Sequence, residues 1–156
     1  VVVDAAPAAP AAQQTPPPGA GTPPQDAFSA ADFEALTIQG PSAQGRRVRT
    51  QLYCEAPRPV ALREQVEQVE AAVVALRDTQ GRVPAADCRW GARGEERRQD
   101  FLLLIPPELA EAFSGQPVTT DEFVERRRVV AEVEWVGRSP ALSLRTAGIL
   151  RRVSSR

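Results

Sequence analysis

The segment Phe101-Leu102-Leu103-Leu104-Ile105-Pro106-Pro107 gives the strongest indication of how the chain folds. Five consecutive apolar side chains are followed by two prolines that end the segment. A short apolar run bounded by turn residues is typical of a strand that is buried on both faces. Pro107 suits the first position of a helix, and Gly115 would end that helix after one or two turns. We therefore expect residues 101–105 to lie at the centre of the core.

Segments with a period of two residues lie on both sides of this run. Residues 46–54 alternate between apolar and polar side chains, which predicts a half-buried strand. Residues 88–90 begin a second extended segment. Residues 129–136 alternate again, Gly137-Arg138-Ser139-Pro140 reads as a turn, and residues 141–145 return, which together predict a hairpin.

Helical patterns connect these strands. Ser29 is a candidate N-cap for a short helix over residues 28–36, and Thr120 followed by two acids predicts another helix start. A longer amphipathic helix is expected from about Pro59 to Asp78, packed on the sheet of the same chain. A coiled-coil dimer is the alternative, although the stripe covers only two heptads. The stripe consists of Leu62, Val66, Val69, Val73 and Leu76.

The first 25 residues differ in composition from the rest. They contain seven prolines and seven alanines, one acid and no arginine, and such a segment cannot bury enough apolar surface to offset the cost of ordering. We predict a Pro/Ala-rich disordered tail over residues 1–27 and a single domain over residues 28–156. The tail is interpreted as a tether that spaces the domain from a membrane or wall, and a proline-rich ligand for a partner groove is the alternative.

Two features suggest export. The chain starts Val1-Val2-Val3 and contains no methionine, and the Ala/Pro run that follows resembles what comes after a cleaved signal. A cytosolic protein whose start was removed is the alternative. In an exported chain, Cys54 and Cys88 would form a disulfide across about 35 residues, which is worth roughly 4 kcal/mol in the chain-entropy model. Two buried free thiols are the alternative.

The composition excludes several kinds of chemistry. The chain has no histidine, and all 19 basic residues are arginine, so histidine triads, histidine-ligated zinc and lysine-based catalysis are excluded. Two cysteines cannot form a four-cysteine metal site. No apolar stretch is long enough for a transmembrane segment. We therefore expect no enzyme activity, no cofactor and no metal.

The order of elements resembles that of the OB-fold, a five-stranded barrel with a helix between its third and fourth strands. The segments 101–106, 132–137 and 140–144 resemble the second half of small OB-fold-like domains of exported bacterial proteins. The resemblance implies an α+β, mainly β domain with a small five-stranded barrel. The long amphipathic helix inserted between the first two strands departs from that pattern.

Arginines supply the candidate binding residues. Residues 45–156 hold 19 arginines and 16 acids, a net charge of +3, which permits an anionic partner. The arginines could grip phosphates or a protein surface, with Trp90 available for stacking. Alternatively, they form a solvated strand face paired with Glu132 and Glu134. The candidate binding residues are Arg46, Arg47, Arg49, Trp90, Arg126, Arg127 and Arg128.

These features favour a non-enzymatic domain. We expect a periplasmic or secreted bacterial protein, tethered through its tail, that binds a protein partner as an accessory subunit of a cell-envelope assembly. Binding of single-stranded nucleic acid through the same barrel is the alternative function.

Overall fold

The computed structural model describes residues 23–62 and 71–154, which are mainly β. No helix in these two ranges is long and apolar enough to cross a membrane. The strands are β1 Gln25–Asp26, β2 Arg47–Cys54, β3 Arg58–Ala61, β4 Arg82–Trp90, β5 Gln99–Leu104, β6 Val118–Asp121, β7 Val124–Ser139 and β8 Arg145–Val153. The helices are α1 Ala30–Gln39, α2 Ala71–Val74 and α3 Ala110–Ser114, with 3₁₀ turns at Gly40–Ala43, Pro107–Leu109 and Pro140–Leu142.

Five of the strands close into a ring. β2 pairs with β4, and β4 pairs with β5, both antiparallel. β5 then pairs in parallel with β8, which is antiparallel to β7. β7 closes the ring because it also pairs along the whole of β2. The remaining strands β1, β3 and β6 extend from β2, β4 and β7 respectively.

The predicted centre of the core is confirmed. Every side chain in residues 101–105 is at most 1% exposed. Phe101 and Leu103 belong to the apolar cluster that α1 joins, whereas Leu102 and Leu104 belong to a second cluster on the opposite face of β5. β5 is thus buried on both faces. The second cluster also includes residues that lie outside the five ring strands, namely Leu62, Val73, Ala141 and Leu142.

Helix α1 contributes the apolar side chains of Phe33 and Leu36 to the first cluster. The predicted N-cap is confirmed, because Ser29 Oγ accepts from the Asp32 amide at 3.1 Å and the Asp32 carboxylate accepts from the Ser29 amide at 3.2 Å. Phe33 meets Trp90 edge-on at a centroid distance of 5.2 Å. The reciprocal cap and these edge-to-face contacts hold α1 in the core.

The predicted disulfide is also confirmed. Cys54 and Cys88 are bonded, and they lie directly opposite each other in the β2–β4 pair. Both cysteines are almost fully buried. The bond therefore joins the first two strands of the ring.

The long helix predicted from Pro59 is wrong at its start. Arg58–Ala61 is the strand β3, which pairs with β4. Proline is compatible with a strand at a sheet edge, where the missing N–H is not needed. The described helical turn is Ala71–Val74, and Val66 and Val69 of the predicted stripe lie outside the described residues.

Three other boundaries differ from the prediction. The expected helix start at Thr120 is a hairpin between β6 and β7. β7 continues through Gly137, which has a φ of 84° at a β-bulge, so the turn of the following hairpin falls after Ser139. Gln25–Asp26 pairs with β2 and Ala27 is fully buried, so the folded unit includes residues assigned to the tail. Residues 1–22 lie outside the described part of the chain.

Candidate functional site

A two-residue turn between β6 and β7 exposes an aromatic ring. Asp121 pairs with Val124, and the turn residues Glu122 and Phe123 have φ values of 52° and 67°. This backbone region costs residues other than glycine about 1–2 kcal/mol each, and such turns favour Asn and Gly. Phe123 nevertheless occupies it with its side chain fully in solvent, at a relative exposure of 101%. We call residues 121–124 the hairpin tip.

Buried charges hold the hairpin tip. The Asp121 carboxylate accepts from Arg98 Nη1 at 2.8 and 3.0 Å and from Arg126 Nη1 at 3.3 Å. These three side chains are between 2% and 5% exposed. The Arg98 guanidinium also lies 4.8 Å above the Tyr53 ring. We call Asp121, Arg98 and Arg126 the tip cluster, and its geometry fixes the base of the turn.

A second layer of ion pairs surrounds the tip cluster. Glu122 Oε1 lies 3.4 Å from Arg89 Nε and 3.3 Å from Arg98 Nη1. Arg93 Nη2 donates to the Thr120 carbonyl at 3.1 Å. The turn is therefore anchored on both sides of Phe123, so the exposed ring is presented by a rigid support.

The outer face of β4 and β5 carries alternating charges. Asp87 accepts from Arg58 Nη2 at 2.9 Å and also from Arg145, and Arg89 Nη1 lies 2.7 Å from Asp100. We call these five residues the charged face. A cavity of about 210 Å³ opens here. Its lining includes Glu55, Asp87, Arg89, Asp100, Arg126 and Arg145, so positive and negative side chains alternate around it.

Burial raises the pKa of Asp87, but the hydrogen bonds from Arg145 and Arg58 outweigh it, so the pKa lies below its usual value. A carboxylate with a lowered pKa in the folded state stabilises the fold above its unfolded pKa of about 3.9, and this contribution disappears as the pH falls through the folded pKa. We predict that Asp87→Asn destabilises the domain by about 1 kcal/mol at pH 7. Urea unfolding at pH 7 and at pH 2–4 tests this prediction, because the difference from wild type should shrink over the acidic range. A difference that stays constant down to pH 2 would contradict it.

The structure separates the two predicted arginine runs. Arg47 and Arg49 lie opposite Glu134 and Glu132, whereas Arg127 and Arg128 lie opposite Cys54 and Tyr53. Four residues along a strand correspond to roughly 13 Å, so the runs do not form one patch. The individual contacts are an Arg49–Asp26 ion pair, an Arg46–Gln25 hydrogen bond and an Arg127 hydrogen bond to the Ser114 carbonyl.

Two of the predicted binding residues are not on the surface. Trp90 is fully buried, and its Nε1–H donates to the Ala27 carbonyl at 3.0 Å. Because Trp90 ends a strand whose alternate side chains face the core, its indole is not available for stacking on a ligand. Arg126 is only 4% exposed and belongs to the tip cluster. Phe123, which was predicted to lie in a helix start, is instead an exposed aromatic residue, and Phe28 is also exposed, at 37%.

Comparisons with known proteins add no assignment. No family description, curated protein or solved structure matches the chain. Within residues 23–62 and 71–154, no group of three or more acidic or cysteine side chains is arranged to hold a metal ion.

Proposed function

We propose that this chain is an OB-fold domain without enzymatic activity that binds a protein partner through its hairpin tip. In this proposal the domain is exported, works in the periplasm or outside the cell, and serves as an accessory subunit of a cell-envelope assembly. The observation that carries the proposal is the full exposure of Phe123 on a strained turn that a buried ion cluster holds in place.

The connectivity of the ring supports the OB assignment. The first three ring strands, β2, β4 and β5, are consecutive antiparallel neighbours. The third strand then pairs in parallel with the fifth, and the fourth closes on the first. The helix α3 lies between the third and fourth ring strands. This order is that of a five-stranded Greek-key barrel with its helix in the usual place, and the Cys54–Cys88 disulfide is compatible with export.

The hairpin tip has the properties of a protein-binding anchor. Aromatic side chains dominate the energetics of protein interfaces, and the effective ones are presented by rigid surroundings. In the unbound domain the fully exposed side chain of Phe123 adds no packing energy, and its backbone conformation is strained. Burial of its ring in an apolar pocket of a partner would release roughly 2–3 kcal/mol, which offsets the strain of the turn.

Nucleic-acid binding is less well supported. OB-folds bind oligonucleotides on the outer face of the second and third strands, and single strands need exposed aromatic side chains there for stacking. In this chain Trp90 and Phe101 belong to the buried core. The outer side of Leu102 and Leu104 is covered by apolar side chains of the same chain, and the rest of that face is the charged face, whose arginines are paired with acids.

Photo-crosslinking in the native cell tests the proposal. We expect a photoreactive phenylalanine analogue at position 123 to form an adduct with one defined protein. Leu144 is the matched control position, because it is also exposed (59%) and has a similar φ of 61°. The analogue at position 144 should give no such adduct. No adduct from position 123, or an adduct with nucleic acid, would contradict the proposal.

A further inference from the structure

β6 is an edge strand of the sheet. Among the described strands, β1, β3 and β6 lie at ends of the sheet. β1 has only two residues, and β3 contains Pro59. Proline and lysine are the residues that usually protect such edges from pairing with another chain. The sequence of β6, Val-Thr-Thr-Asp, has neither and is rich in residues that favour strands.

The register shows which backbone groups of β6 are free. Asp121 and Val124 close the two-residue turn, and Arg128 N–H donates to the Pro117 carbonyl. Because hydrogen-bonded and non-hydrogen-bonded pairs alternate in an antiparallel ladder, residues 117, 119 and 121 direct their backbone groups toward β7. Val118 and Thr120 therefore direct theirs outward.

Three of the four outward groups have no partner in the described part of the chain. Arg93 donates to the Thr120 carbonyl, which leaves the N–H and C=O of Val118 and the N–H of Thr120. These three groups match the N–H and C=O groups of an approaching strand. The exposed side chain of Val118, at 53%, lies at one end of this edge, and the turn that carries Phe123 lies at the other end.

We infer that the partner binds by adding an extended segment to β6, with one apolar side chain packed beside Val118 and another beside Phe123. This inference rests on the proposed function and specifies how the partner is held. Main-chain hydrogen bonds supply affinity in strand addition, and pockets for alternate side chains supply specificity. The rigid hairpin tip then fixes the position of the edge onto which the segment adds.

Substitution of Thr120 tests the inference. Thr120→Pro removes the outward N–H but none of the β6–β7 hydrogen bonds, and edge strands tolerate proline at such a position. Thr120→Val is the matched control, because it changes the side chain and keeps the N–H. With the purified protein that crosslinks from position 123, we expect Thr120→Pro to bind at least 10-fold more weakly and Thr120→Val to bind within 2-fold of wild type.

A second measurement covers the case in which Thr120→Pro fails to fold. The wild-type amides of Val118 and Thr120 should exchange with solvent at least 10-fold more slowly in the complex than in the free domain. Wild-type affinity of a folded Thr120→Pro, or unchanged exchange at both amides, overturns strand addition while the crosslink still supports the proposed function. The absence of any crosslinked protein would instead refute the proposed function itself.

Discussion

Asp121→Asn is expected to destabilise the domain by about 3–5 kcal/mol, because it leaves the buried guanidinium groups of Arg98 and Arg126 without their shared counter-ion. Both arginines are at most 5% exposed. Three of their nitrogen atoms, Arg98 Nε and Nη2 and Arg126 Nε, have no acceptor among the described residues. Glu122 and Glu55 also lie within 3.6 Å of these guanidinium groups, but their side chains are 48% and 47% exposed, so Asp121 is the buried counter-ion. Urea unfolding at pH 7 measures the free-energy difference.

Asp100→Asn is the matched control for this prediction. It makes the same chemical change in a carboxylate that also pairs with an arginine, at 2.7 Å, but whose side chain is 77% exposed. Exposed pairs contribute ~1 kcal/mol at most. If Asp121→Asn costs no more than Asp100→Asn, the tip cluster does not hold the hairpin tip. A second readout is the Phe123 amide, whose hydrogen exchange should accelerate in Asp121→Asn alone.

Loss of the Cys54–Cys88 disulfide is expected to cost about 4 kcal/mol, since it closes a loop with a sequence separation of 34 and so restricts the unfolded chain. This is a large share of the free energy of unfolding of a typical domain, which is about 5–15 kcal/mol. The change to test is the double variant Cys54→Ala/Cys88→Ala, with denaturant unfolding as the measurement.

Reduction of the wild-type protein provides an independent control for the disulfide prediction. Reduced wild type and the double variant should unfold at similar denaturant concentrations, and both should lie well below the oxidised protein. If the free energy of unfolding falls by less than about 1 kcal/mol in both cases, the prediction is contradicted, and the disulfide contributes little to stability.

The sequence predicted the elements whose patterns are local. The apolar run 101–105 is buried as expected, because a segment apolar at every position has no face suited to water. The alternation in residues 46–54 predicted β2, and Ser29 as a candidate N-cap marked the start of α1. The disulfide between Cys54 and Cys88 was expected for an exported chain, and two buried free thiols were the alternative.

Features that depend on distant contacts were not predictable from the sequence. Closure of the ring needs the parallel β5–β8 pair, and no local pattern specifies which strands meet in parallel. The turn at Glu122 and Phe123 carries neither Asn nor Gly, so the usual signal of a two-residue hairpin was missing. The sequence did not show whether Trp90 lies on the core side or the solvent side of β4, because that depends on how β4 pairs with its neighbours. The candidate site was therefore predicted less well than the core.

The environment of the arginines explains why they did not indicate the candidate binding site. Arg98 and Arg126 form buried ion pairs with Asp121. The arginines of the charged face are paired with acids on the same face. Salt bridges of this kind neutralise the surface. Phe123, by contrast, is fully exposed, and for this reason the proposal rests on it.

The affinity of the crosslinked partner for Phe123→Ser and for Leu144→Ser distinguishes binding at the hairpin tip from binding elsewhere on the domain. The two substitutions are matched, because each replaces an exposed apolar residue in a left-handed turn by the same small polar residue. We predict that Phe123→Ser weakens binding by about 30-fold or more, as expected for an interface hot spot, and that Leu144→Ser changes it by less than 2-fold. Equal affinities of the two variants, or a larger loss for Leu144→Ser, would contradict the claim that the hairpin tip is the binding site.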